Sequence, residues 1–138
     1  MTKEQFVERF LKNFMDNIPK RQQKKYRIGT KKKDFLWNIF AAKLIPCYEG
    51  DKAREQYDKA DKTFAEEILY DNGFLGYDSN NSVMLSKQHM TAEGIDKSGK
   101  AEFYVIGQDF SWCYVITHEF DLCGPFFCYK PRLQSTDN

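Results

Sequence analysis

Residues 102–129 read EFYVIGQDFSWCYVITHEFDLCGPFFCY. Aromatic and β-branched residues crowd this stretch, and such residues favour the pleated, half-buried surface of a sheet. Two runs, 102–107 and 111–118, flank Gly107-Gln108-Asp109, which predicts paired antiparallel strands joined by a short turn. Gly124-Pro125 opens a third strand that runs through Tyr129. In the second strand Trp112, Tyr114, Ile116 and His118 share one face, and Cys113, Val115 and Thr117 share the other. Both faces are largely apolar, which fits a central strand covered on both sides.

Working outward, the N-terminus opens with Thr2-Lys3-Glu4-Gln5, a capping-box pattern. Phe6, Phe10 and Phe14 follow at helical spacing, so one apolar face of a helix is expected, ending before Pro19. Residues 20–30 read as a polar connector. The run FLWNIFAAKLI from Phe35 has no clean period; its aromatic content favours strand for 35–40. Pro46 and Gly50 punctuate a turn, and Asp51 is placed to cap a helix through about Asp61. Residues 63–70 and 83–89 are ambiguous between helix and strand, 76–82 read as loop, and Thr91–Asp96 reads as one helical turn. The tail from Arg132 is polar.

Together these elements define one α+β domain. Its antiparallel sheet comes mainly from the C-terminal third, and the N-terminal and central helices are expected on one face of it.

At 138 residues and 41% hydrophobic, the chain is long enough for a core, and twelve Phe, eight Tyr and two Trp make that core unusually aromatic. No apolar run approaches the roughly 20 residues that cross a bilayer. The N-terminus lacks the uninterrupted apolar region of a signal peptide, so a cytoplasmic location is expected. The thiols Cys47, Cys113, Cys123 and Cys128 should then be reduced. None forms a Cys-x-x-Cys pair, and buried cysteine ordinarily acts as a small hydrophobe, so no metal site is assigned.

Charge is lopsided. Residues 1–33 hold eleven Lys/Arg against three Asp/Glu, and residues 34–138 hold ten against seventeen. The run from Lys20 to Lys33 has eight positive charges and no acid. Its residues Lys24, Lys25 and Arg27 could contact phosphates, with Tyr26 stacking on a base. No nucleic-acid module signature accompanies them.

The segments LWNIF (36–40), LIPCYEGDKAR (44–54), FYVIGQDFSWCYVITHE (103–119) and GPFF (124–127) together resemble an uncharacterised family of small bacterial single-domain proteins. The resemblance covers roughly residues 34–129. It implies bacterial origin and no assigned activity. Members of that family often carry a His after the first Trp; here the position is Asn38, which weakens the idea of a histidine pair there.

One island carries acid/base chemistry. His118, with Glu119 beside it and Asp109 placed across the hairpin, could act as a general acid or base. Adjacent strand residues point to opposite faces, so His118 and Glu119 would not converge. The plainer role for His118 is structural, bonding the backbone or Asp109 and closing the sheet edge. Gly94–Lys100 lacks the phosphate-loop spacing, and no cofactor motif is present.

The leading expectation is therefore a small binding module for another protein, accessory or antidote-like. Trp37, Trp112 and Tyr114 are the candidate contact aromatics, because Trp and Tyr dominate interface hot spots. A hydrolase or metal-assisted enzyme centred on His118 is the first alternative. Nucleic-acid binding through 20–33 is the second.

Overall fold

A computed structural model describes residues 1–29, 34–71 and 81–131. Helix α1 (Lys3–Phe14) begins at the expected capping box: the Thr2 hydroxyl accepts from the Gln5 N–H at 3.1 Å, and the Gln5 side chain accepts from the Thr2 N–H at 2.9 Å. Its buried face is Phe6, Phe10 and Phe14. Helix α2 (Lys20–Lys25) follows Pro19, and α3 (Asn38–Ala41) is a single short turn. Strand β1 (Tyr48–Glu49) precedes helix α4 (Asp51–Lys59). Strands β2 (Glu66–Leu69) and β3 (Val83–Met84) come next. A 3₁₀ turn over Lys87–Met90 leads into α5 (Ala92–Ser98). Strands β4 (Phe103–Ile106), β5 (Trp112–Ile116) and β6 (Phe126–Tyr129) complete the described part of the chain.

The strands form one antiparallel sheet in the order β1-β6-β5-β4-β2-β3. β4 and β5, buried at every position, form its centre with β6. Both carry apolar residues on alternate faces, so each face needs its own cover. One face supplies Tyr104, Ile106, Cys113, Val115, Phe126 and Cys128 to a core closed by α1 and the 36–40 segment. The other supplies Phe103, Val105, Trp112, Tyr114 and Phe127 to a core closed by Ala53 and Tyr57 of α4 and by Ala92 and Ile95 of α5. The N-terminal and central helices are thus divided between the two faces rather than sharing one. Two apolar faces on the central strands require that division.

Residues 35–40, expected as strand, form a turn and α3 instead. Leu36, Ile39 and Phe40 lie at i, i+3 and i+4 and are fully buried. That is helical spacing, and it fills the space beneath α1, where Phe40 meets Phe10 and Phe14 with ring centroids 6.0 and 6.1 Å apart. Gly50, not Asp51, caps α4, with φ 68°; Asp51 is its first residue and pairs with Arg54 at 2.9 Å. Residues 63–70 resolve into β2, and 83–89 into β3 and the 3₁₀ turn. The loop expected at 76–82 lies outside the described residues up to position 80, as does the tail from Arg132. Among the described residues, no helix is long and apolar enough to cross a membrane.

Candidate functional site

The β4–β5 register places Phe103 opposite Ile116, so Glu102, just before β4, and His118, two residues beyond β5, are diagonal neighbours at one end of the sheet. Glu102 is buried, its side chain 1% exposed, and its φ of 51° lies in the left-handed region that only Gly enters cheaply. Three donors converge on its carboxylate. The His118 backbone N–H reaches Oε1 at 2.9 Å, the His118 ring Nδ1 reaches the same oxygen at 2.8 Å, and the Trp37 indole N–H reaches Oε2 at 2.8 Å. Burial pushes the Glu102 carboxyl above its ordinary value, and these hydrogen bonds pull it partly back.

His118 keeps 23% of its side chain exposed and lies against a two-ring stack. Phe35 and Trp37 have centroids 5.0 Å apart, and the imidazole is 5.1 Å from the first and 5.8 Å from the second. Because β5 ends at Ile116, the chain has left the pleat here, and Nε2 comes within 4.0 Å of Glu119 Oε1. The divergence expected of adjacent strand residues does not apply.

Beyond His118 the chain makes a tight 3₁₀ turn over Phe120–Leu122. Thr117 organises it: its hydroxyl donates to the Cys123 carbonyl at 2.5 Å and accepts from the Glu119 N–H at 3.2 Å. Backbone bonds from Phe120 to Thr117, Leu122 to Glu119 and Cys123 to Phe120 close the loop at 3.2, 3.0 and 3.2 Å. Phe120 has φ 49°, costly for an aromatic residue. Phe120 is nonetheless 54% exposed and Leu122 93%. The Cys123 thiol is pushed up to about 11, by burial first and then by the negative charges of Glu119 and Glu49, so it stays protonated at neutral pH.

The other expected site residues are dispersed. Asp109 is exposed, but it lies in the turn at the opposite end of β4 and β5, far from His118, because the antiparallel register carries the hairpin away from it. Trp37, Trp112 and Tyr114 are buried and offer no surface to a partner. Trp37 serves Glu102. Tyr114 stacks on Tyr57 at 4.3 Å, and Trp112 packs on Phe127 at 5.5 Å. Gly107 is what admits Trp112: a Cβ there would sit 2.4 Å from the indole nitrogen. Lys24, Lys25 and Arg27 are exposed on and just after α2, with Lys25 Nζ 5.4 Å from the Tyr26 ring. Lys31 to Lys33 lie outside the described residues.

His89 does not meet His118. It is buried against Phe103 on the sheet's other face, with Nδ1 3.0 Å from both Glu67 oxygens and 2.9 Å from the Ser86 hydroxyl. Among the described residues no group of three or more His, Cys, Asp or Glu side chains is disposed to hold a metal ion. Cys113 and Cys128 oppose each other inside the core, where burial raises both thiols.

Sequence reasoning singled out His118 and Glu119 but missed Glu102, Phe120 and Leu122. The hint for Glu102 was its place at the head of the run 102–107, a lone acid before Phe103, Val105 and Ile106; its partners follow from the strand register, which that hint does not give.

The class of protein is thus an α+β domain built on a six-stranded antiparallel sheet, with an anchored loop at the end of its central strand. Residues 2–127 match the family described as a domain of unknown function, DUF4275, and the chain belongs to that family. No curated protein and no solved structure matches it.

Proposed function

We propose that this chain is a cytoplasmic bacterial binding module that recognises another protein through the loop 117–123. The observation that carries the reading is the exposure of Phe120 and Leu122 on a loop held from below by Glu102 and from within by Thr117. Folding gains little from two apolar side chains left in water, and the left-handed backbone at Phe120 costs about 1 kcal/mol or more. Rigid display of apolar side chains lowers the ordering cost of association, which is how small interfaces become tight. The expected contact aromatics are replaced in this account by Phe120, with His118 and Phe35 at its margin.

The test is capture from the producing cell. Tagged full-length chain and Leu122→Glu are compared by affinity purification and mass spectrometry, with circular dichroism confirming that both fold. A stoichiometric protein retained by the first and lost by the second supports the reading. Equal retention by both, or none by either, refutes it.

A second reading has one specific support. Glu102 engages His118 through Nδ1, as a carboxylate orients the proton-transferring imidazole of histidine-dependent enzymes, and Glu119 lies 4.0 Å from Nε2. Among the described residues, one depression is lined by Asp109 and Trp112, another by Tyr48 and Tyr129, and a third by Cys47 and Glu49. Cys123, the nearest thiol on the loop, is not activated as a nucleophile. A hydrolytic activity abolished by His118→Gln in a stably folded chain would establish this reading.

A further inference from the structure

Among the described residues, two exposed carboxylates from different parts of the chain lie beside the exposed pair. Glu119 precedes Phe120 and is itself exposed. Glu49, at the β1 edge, is exposed and accepts from the Gly124 N–H at 3.4 Å, two residues beyond Leu122. Glu49 at the β1 edge and Glu119 in the turn thus flank the segment 120–124, and both negative charges add to burial in raising the Cys123 thiol. Leu122 therefore projects from an acidic rim formed by two different elements.

The segment after the basic helix α2 reaches His118 through Phe35. Arg27, in that segment, holds Phe35 through a 3.0 Å bond from the Phe35 N–H to the Arg27 carbonyl, and Phe35 packs on His118.

We propose that the loop's partner is a protein surface with an apolar hollow for Phe120 and Leu122 and a cluster of Lys or Arg on the side that meets Glu49 and Glu119. This rests on the binding-module reading and adds the partner's chemistry to it. Like-sign juxtaposition is costly at an interface, so an acidic partner is excluded from this side; a neutral apolar one would leave two carboxylates partly desolvated and unpaired. Rim charges of this kind govern the rate of association more than the final affinity, so the acidic rim supplies steering and the two apolar side chains supply the hold.

The experiment uses the full chain as bait for a phage-displayed library of random peptides, followed by titration of the enriched peptides as synthetic ligands. The expected result is enrichment of peptides that place Lys or Arg beside a large apolar residue. Leu122→Ala should weaken them by about tenfold or more. Glu49→Lys with Glu119→Lys should weaken them several-fold, and the wild-type affinity should fall as salt rises from about 50 to 300 mM. Circular dichroism confirms that each variant folds. Peptides without basic residues that still depend on Leu122 would overturn the partner's chemistry and leave the binding loop standing. Peptides indifferent to Leu122, acidic peptides that depend on α2, or no enrichment at all would overturn the proposal together with the loop's role.

Discussion

Glu102 accepts from both the backbone N–H and the ring Nδ1 of His118, at 2.9 and 2.8 Å, across a separation of sixteen residues. One buried carboxylate thus fixes both the path of the chain and the orientation of its side chain. The segment that follows, Glu119 to Cys123, starts from that fixed point.

Replacing Glu102 by Gln should loosen the loop. The amide oxygen can still accept from His118, but the amide NH₂ then faces the Trp37 indole N–H, donor against donor. Leaving a buried donor unpaired costs about 1–3 kcal/mol. Urea denaturation should show a loss of that size, and hydrogen exchange at the His118 and Glu119 amides should accelerate. Unchanged exchange would mean that Thr117 alone holds the loop.

The same carboxyl makes stability depend on pH. Burial raises its folded-state value above 4.5, so the folded chain holds this proton more tightly than the unfolded chain does. The resulting stabilisation is fully present below the ordinary carboxylate value and is lost as pH rises through the raised one. Measured against Glu102→Gln, wild-type stability should fall across that window. A difference that is flat with pH would contradict it.

Phe120→Gly should separate stability from binding. Glycine enters the left-handed region freely, and removal of the strain offsets the greater flexibility of the unfolded chain. The variant should melt within about 1 kcal/mol of wild type, or slightly above it, while capturing no partner. Loss of stability by several kcal/mol would show that the ring is structural.

Cys123 should be a sluggish thiol despite its partial exposure. With its thiol pushed up to about 11, the thiolate at pH 8 is roughly a thousandth of the population. Alkylation by iodoacetamide in the folded protein should therefore be slow, rise roughly tenfold per pH unit, and speed up in Glu119→Gln. Labelling at the rate of a free thiol would contradict the raised thiol, and an unchanged rate in Glu119→Gln would contradict the acidic contribution to it.

The aromatic core makes its own prediction. Phe10 is fully buried between Phe6, Phe14, Phe40 and Tyr104, with ring centroids 5.1 to 6.0 Å away. Phe10→Ala should cost about 3–5 kcal/mol in chemical denaturation. A cost under 1 kcal/mol would mean that α1 is not docked as described.

The parts of the fold legible in the sequence are those whose period is unambiguous. Phe6, Phe10 and Phe14 repeat at helical spacing behind a capping box, and the alternation through Trp112–Ile116 on two apolar faces announces a central strand. Residues 35–40 were not legible, because aromatic content argues for strand while Leu36, Ile39 and Phe40 satisfy a helical turn equally well, and only the space beneath α1 decides. His118 and Glu119 stood out by residue type. Glu102 did not, because its role depends on the register of β4 against β5, which no local pattern encodes. The aromatics Trp37, Trp112 and Tyr114 misled for a related reason: hot-spot residue types and core residue types are the same.

The most direct test places a photo-cross-linking amino acid at position 122 and, as a control, at position 84. Met84 is 77% exposed at the β3 edge of the sheet, paired through Glu66 to the Ile106 end of β4 and thus away from the loop. Irradiation in the producing cell should yield a discrete protein adduct from position 122 and none from position 84. Adducts from position 84 alone, or none from either position, would contradict the claim that this domain works through its anchored loop.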